Sequence, residues 1–278
     1  MTEPRSSYTI AQFSDIHCGD SRFDDDLMEA TIHEINDLKP DLVIVAGDLT
    51  ADGYREQFDE AHSWIRQVEC EQKLVIAGNH DCRNVGYLHF EQIFGSRHYR
   101  SEELDFRICC VPDDAGVQER VKILALDSNK PDLNDGEIGR DKYDWIDLEF
   151  PNPDDFKIFL LHHHLVSIPG TGRERNIVLD AGDVLDKLRE VDVDLVLCGH
   201  RHVPYTWPLA DMLVISSGTA STWRTRGFIQ PSYNIINIEP ATITVTNKTP
   251  GGTVWKKQSF PRKPRRLRRL HGSLSGDS

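Results

Sequence analysis

Short apolar runs alternate with amphipathic stretches over the first two thirds of the chain. The runs YTIAQFS (8–14), DLVIVAG (41–47), KLVIAG (73–78), VKILALD (121–127), KIFLLH (157–162) and VDLVLCG (193–199) have the length and apolar density of buried strands. Between them the spacing predicts helices over 24–38, 54–68, 86–94, 140–149 and 180–190. In the second of these, Phe58, Ala61, Ile65 and Val68 recur at helical spacing. The first has acids in its opening turn, and the last has a capping residue, Asp180, at its start. Beyond residue 200 the pattern changes. DMLVISSG (211–218), SYNIINIE (232–239) and ATITVTN (241–247) follow one another with only short turns between them.

Alternating strand and helix predicts an α/β fold with a mostly parallel sheet covered on both faces. The late strands predict a second sheet, or an extension of the first, packed alongside. Residues 127–140 and 167–176 read as loops. No internal repeat is visible. The chain divides into a body over 1–255 and a basic C-terminal tail over 256–278, expected to be partly disordered.

Composition narrows the class. At 278 residues and 38% hydrophobic, the chain suits one soluble globular domain with small additions. There is no long uninterrupted apolar stretch to span a membrane, and MTEPRSSYTI lacks the basic start and apolar core of a secretory signal. The six cysteines form no C-x-x-C pair and suggest reduced thiols in a cytoplasmic protein. The net charge of −13 is uneven: from Thr253 onward eight basic residues face one acid, which leaves −20 for the remainder. An acidic body disfavours nonspecific nucleic-acid binding. The tail alone suits an anionic partner, RNA or a membrane surface, although a solvated or self-docking segment is the commoner use of such a stretch. A homodimer is compatible with the sequence.

The chemistry sits where strands end. SDIHCG (14–19), GDLT (47–50), GNHDC (78–82), HHH (162–164) and GHRH (199–202) each directly follow a predicted strand. In a parallel sheet those ends share one edge, where open α/β sheets bind ligands. The donors are Asp, Asn and His without thiolate, a set that suits Mn, Fe or Zn. Asp15 and His17, like His200 and His202, are two apart on an extended chain and share a face. Gly47, Gly78 and Gly199 each precede a candidate ligand, where the backbone must turn sharply or approach closely. Asp48 stands centrally, and a carboxylate can bridge two cations that clamp a phosphate and generate hydroxide at neutral pH. Singly, a D-x-H or a G-N-H-D is a common chance turn. Five such clusters in this order are not.

These residues resemble the calcineurin-like metallophosphoesterase superfamily, whose motif series is D-x-H, G-D, G-N-H-D/E, H and G-H-x-H. The match runs from residue 8 to about 220. The resemblance implies a four-layer α/β/β/α sandwich and a dinuclear centre of Mn, Fe or Zn. Asp15, His17, Asp48 and His202 would hold one metal; Asp48, Asn79, His200 and His162 would hold the other. His80 would be catalytic, standing at the phosphate and protonating the leaving oxygen, with Asp81 orienting His80 or supporting the site. His162 is expected as the ligand of its triplet, with His163 packed away from the metals and His164 turned back toward them. Relatives often carry prolines after this histidine, where this chain has HHHLV. Within the superfamily, LALDSN and GNHDCR look like the bacterial class III cyclic-nucleotide phosphodiesterase branch, which makes Arg83, with Asn79 and His80, a candidate phosphate contact.

The resemblance thus implies a dinuclear metal-dependent phosphodiesterase acting on a small diester such as a 3′,5′-cyclic nucleotide, with attack by metal-bound hydroxide. A phosphomonoesterase or a nucleotide-sugar or lipid pyrophosphatase on the same site is the alternative. A catalytically silent metal-bound scaffold is an alternative of another class, although such a protein usually lacks a ligand and here every ligand has a candidate. A repair nuclease fits less well, because the body is acidic and leaves little room for a capping domain. Arg201 is expected to face solvent or an acid, and Trp64, Trp145 and Trp223 to pack in the core. Asn129, Asn134 and Thr222 lie on loops near the site and are unranked.

Overall fold

The computed structural model describes residues 7–100, 107–111, 114–171, 177–226 and 229–262. The strands are β1 (Tyr8–Phe13), β2 (Leu42–Ala46), β3 (Lys73–Ile76), β4 (Tyr99–Arg100), β5 (Arg107–Val111), β6 (Asp114–Ala125), β7 (Phe156–Leu160), β8 (Leu195–Cys198), β9 (Tyr205–Leu209), β10 (Met212–Ser216), β11 (Tyr233–Ile238), β12 (Thr242–Lys248) and β13 (Val254–Pro261). The helices are α1 (Asp25–Leu38), α2 (Arg55–Ile65), α3 (Gly86–Phe94), α4 (Tyr143–Glu149) and α5 (Ala181–Glu190).

Two sheets form, one packed on the other as expected, and both are mixed. The first runs β13-β12-β11-β1-β2-β3 and the second β4-β6-β7-β8-β10-β9, with β5 paired to β6. The parallel strands are divided: β1-β2-β3 in the first sheet, β6-β7-β8-β10 in the second. Of the late strands, β10 therefore joins the second sheet, and β11–β13 extend the first in antiparallel register from β1.

The alternation of side chains across each strand builds the layers. Ile10, Ile44 and Ile76 of the first sheet meet Ile123, Ile158 and Leu197 of the second in one core between the sheets. Their neighbours Phe13, Val43 and Val45 point the other way, onto Met28, Ile35, Phe58 and Phe90 of α1–α3. On the far side Leu124, Phe159 and Val196 meet Ile146, Val184 and Leu188 of α4 and α5. The order is helix, sheet, sheet, helix, the four-layer sandwich.

Two local features differ from expectation. Asp180 precedes α5 but makes no side-chain bond to that helix. Its carboxylate instead accepts from the Ile138 and Gly139 amides at 3.0 and 2.8 Å and from the Tyr143 hydroxyl at 2.8 Å, tying the 138–143 turn to α5. The basic stretch from residue 256 begins inside β13, so the last strand crosses the boundary drawn at 255. Residues 263–278 of the expected tail, and 172–176 of the second expected loop, lie outside the described residues. Among the described residues no helix is long and apolar enough to cross a membrane.

Candidate metal centre

At three strand ends, those of β1, β2 and β8, the backbone reverses at once. Asp15, His17, Asp48, His200 and His202 all take φ between 54° and 73°, the left-handed region that non-glycine residues rarely adopt. Each costs about 1–3 kcal/mol and persists only where its surroundings fix it. Here the loops fix each other. The Asp15 amide donates to the Gly47 carbonyl at 2.9 Å, His17 to Asp48 at 3.0 Å and Cys18 to Leu49 at 2.9 Å. A Cβ on Gly78 would lie 2.2 Å from the Asp48 amide nitrogen, and one on Gly199 would lie 2.4 Å from Ser14 Oγ. Glycine is thus required at both positions by close approach.

The seven candidate ligands converge and are all buried. Asp15, His17 and His202 bring donor atoms within 4.8 Å of one another, as do Asp48, His162 and His200. Asp48 joins the two groups: its Oδ2 lies 3.8 Å from His17 Nε2 and 3.4 Å from His162 Nε2. Asn79 Oδ1 lies 3.2 Å from His162 Nε2 and 2.9 Å from His200 Nδ1.

This donor set fits two cations. His162 donates through Nδ1 to the Ala46 carbonyl at 2.8 Å, and His202 through Nδ1 to the Arg224 carbonyl, which turns both Nε2 atoms inward. His202 Nε2 stands 3.0 Å from His17 Nε2 and 3.3 Å from Asp15 Oδ1, and that carboxylate oxygen is buried without a hydrogen-bond partner. Lone pairs and an unpartnered carboxylate oxygen crowded this closely are stabilised by a shared cation.

The charge states of His17, His200 and Asp48 agree with ligation. Burial holds His17 and His200 well below the usual histidine value, which keeps them neutral. Burial alone would raise Asp48, but the His162 and His80 imidazoles outweigh it and hold the carboxyl well below its usual value. Burial opposes protonation of His162, yet the Asp48 carboxylate lifts it to about 9, so without a cation His162 carries a proton at Nε2 that ligation would displace.

His80 lies at the mouth of the centre, its ring 4.6 Å from that of His17. Its amide donates to Asp48 Oδ1 at 2.8 Å and its Nδ1 to the Ala51 carbonyl at 2.5 Å, which leaves Nε2 free. Asp81 does not orient His80. It accepts from the Leu49, Thr50 and Gly78 amides at 3.0, 2.9 and 2.8 Å and from the Thr50 hydroxyl at 2.8 Å. It therefore pins the Asp48 loop to the Asn79 loop. Burial and the Asp48 charge together push it up to about 7.

A cleft of about 280 Å³ opens over Asp48, Asn79, His80, His200 and His202. Arg83 lines it, donating to Asn134 Oδ1 at 3.0 Å and to Asp52 at 3.4 Å. Asn134 also accepts from Asn79 Nδ2 at 3.2 Å, which places it at the site. His163 is packed under that loop: its Nδ1 accepts from Ser128 at 2.9 Å and its Nε2 donates to the Asn134 carbonyl at 3.2 Å. His164 stacks on His200, ring centres 5.6 Å apart.

Two side chains depart from expectation. Arg201 is buried and donates to the Thr171 carbonyl at 2.6 Å, because the left-handed turns on either side point it inward. Trp223 is 51% exposed, held by its indole N–H on Asp24. Sequence reasoning missed Arg224 and Arg226, which also line the cleft. The available signal was TWRTRG, a pair of arginines in a loop of an otherwise acidic body.

Comparison with known proteins accords with this geometry. A probable cyclic nucleotide phosphodiesterase of Synechococcus is 28% identical over 174 residues, 62% of this chain and 62% of the relative. A cAMP/cGMP dual specificity phosphodiesterase of Mycobacterium tuberculosis is 27% identical over 213 residues, 72% of this chain and 63% of that one. The chain therefore spans under two thirds of the length of these curated relatives. Among solved structures, a purple acid phosphatase from yellow lupin superposes with a TM-score of 0.71 at 15% identity, covering 96% of this chain and 56% of that one, a likeness of fold. The family model for calcineurin-like phosphoesterases matches residues 8–204, the span that holds all five ligand loops, and the chain belongs to that family.

Proposed function

We propose that this protein is a dinuclear metal-dependent phosphodiesterase acting on a small diester, with 3′,5′-cyclic nucleotides the first candidates. The observation that carries the reading is Asp48, placed between His17 and His162 at the junction of two donor groups. Asp15, His17, Asp48 and His202 would hold one cation, and Asp48, Asn79, His162 and His200 the other. Such a pair neutralises phosphate oxygens and acidifies a water at neutral pH.

The chain's own groups do the rest. His80 holds its ring by Nδ1 and presents Nε2 to the substrate; burial holds the ring below the usual histidine value, so Nε2 would first take up a proton from solvent before passing it to the leaving oxygen. Asn79 and Arg83 orient the phosphate, and Asp81 keeps the two ligand loops in register. The nature of the curated relatives favours the cyclic-nucleotide class. The free cysteines Cys18, Cys70, Cys82 and Cys198 accord with a reducing, cytoplasmic site of action.

The test is hydrolysis of 3′,5′-cyclic AMP and bis-p-nitrophenyl phosphate by Mn²⁺-loaded protein. Asp48→Ala and Asn79→Ala should each lose at least a hundredfold in kcat/KM. Undiminished turnover in both variants defeats the assignment.

A further inference from the structure

The cleft carries more positive charge than one diester needs. Its lining includes one carboxylate, Asp48, which belongs to the metal centre, and three arginines. Arg83 stands on the loop after β3. Arg224 and Arg226 stand on the loop after β10, beyond the span that the family model matches.

That second loop is built rather than loose. The Thr219 and Ser221 hydroxyls donate to the Asp15 and Ile16 carbonyls at 2.8 and 3.0 Å, and Thr222 donates to the Arg22 carbonyl at 2.9 Å. The Arg224 carbonyl accepts from His202 itself, so the residue abuts a candidate ligand. The guanidinium of Arg224 is 3.4 Å from Asp20, but that carboxylate is already held by Arg22 at 3.2 Å. Arg226 donates through Nε to the Arg201 carbonyl at 3.2 Å, and among the described residues no carboxylate pairs with it.

Two guanidinium groups on a braced loop, one beside an already-engaged acid and the other beside none, suit bidentate recognition of a phosphate or carboxylate. We infer that Arg224 and Arg226 form an anion subsite beside the metal centre, which takes a second negatively charged group of the substrate. The inference rests on the phosphodiesterase reading and adds to it: cyclic mononucleotides remain substrates of the metal centre, and a diester with a further phosphate or carboxylate gains an added contact. A cyclic mononucleotide, with its single charge, leaves the subsite unused.

The test uses metal-loaded protein and three non-hydrolysable ligands, benzyl(methyl)phosphinate and its 4-carboxybenzyl and 4-phosphonobenzyl analogues, titrated calorimetrically at low and high salt. The carboxylated or phosphonylated ligand should bind at least fivefold tighter than the plain one, and the ratio should shrink with salt. Arg226→Ala and Arg224→Ala should bring the ratio to near one, and Arg226→Lys should keep part of it. Arg224→Ala retains the carbonyl that His202 uses. The two analogues separate a carboxylate site from a phosphate site. A ratio near one for both analogues in the native protein, or one unchanged in both alanine variants, overturns the subsite. Turnover of bis-p-nitrophenyl phosphate, followed alongside, reports separately on the phosphodiesterase reading.

Discussion

Asp81 and Thr50 lie 31 positions apart in sequence, yet the Asp81 carboxylate holds both the amide and the hydroxyl of Thr50, at 2.9 and 2.8 Å. The same carboxylate takes the Leu49 and Gly78 amides. Asp81→Asn keeps the shape but turns an amide nitrogen toward donors that need an acceptor. A buried donor left unsatisfied costs about 1–3 kcal/mol. Thermal unfolding of the metal-free variant should show a loss of that size, and an unchanged midpoint would remove Asp81 from its role as the clamp between the loops.

Gly78 reports on how tightly the loops are packed. A Cβ there lies 2.2 Å from both the Asp48 amide and its Oδ1. Gly78→Ala must therefore displace the residue shared by the two donor groups, at an overpacking cost of about 1–3 kcal/mol. The expected outcome is a folded protein that retains less than one Mn²⁺ per chain after desalting. Full metal content, measured by elemental analysis, would mean that Asp48 is not held as described.

The sequence exposed most of this architecture because each buried strand is an unbroken apolar run and each run ends in polar residues. Asp48 and His200 were legible from the glycine before each. The division of parallel strands between two sheets was hidden, since β2 and β7 are buried on both faces whichever sheet they join. The strand β13 was hidden for the opposite reason. It is an edge strand bonded on one side, its residues largely solvent-facing, and its lysines read as tail. Arg224 could not be ranked from sequence, because its place is set by hydrogen bonds between its loop and the 14–24 segment, some 200 residues away.

His163 tests whether the loop over the cleft is positioned from below. Burial and the charge of His162 push its pKa down to about 3, so the ring is neutral, with one donor and one acceptor. Both are used, on Asn134 and Ser128, and the ring fills the space beside Gly136. His163→Ala removes the support of Asn134 and through it that of Arg83. In steady-state kinetics KM should rise about fivefold or more with a smaller change in kcat, metal content should hold, and His163→Gln should recover part of the loss. A fall in kcat with KM unchanged would point to the metal centre instead.

Asp180 gives a pH dependence away from the metals. Burial would raise its carboxyl, but the Gly139 and Ile138 amides outweigh that and hold it below its usual value. A carboxyl depressed on folding contributes stability that is present above its unfolded pKa of about 3.9 and is lost as pH falls through the folded value. The contribution is modest, since the side chain is only partly buried. Asp180→Asn should lower the unfolding midpoint at pH 7, and the gap from the native protein should close as pH falls below about 4. A gap that is constant with pH would exclude an ionised Asp180 as its source.

Metal removal distinguishes a metal centre from a cluster of satisfied histidines. In a satisfied cluster every buried polar atom has a partner, and a chelator leaves stability alone. Here Asp15 Oδ1 has none, and the Nε2 atoms of His17 and His202 lie 3.0 Å apart with the His202 proton committed to the Arg224 carbonyl. Binding to the native state alone stabilises it by RT ln(1 + [L]/Kd), about 2.7 kcal/mol at a hundredfold excess over Kd. For a domain of this size that corresponds to an increase of several degrees in Tm. Dialysis against a chelator should lower Tm by that amount, Mn²⁺ should restore it, and Asp48→Ala should abolish the response. Asp180→Asn, remote from the donors, should lower the baseline and keep the response. A native protein whose Tm ignores both chelator and Mn²⁺ would leave these seven side chains as a structural cluster.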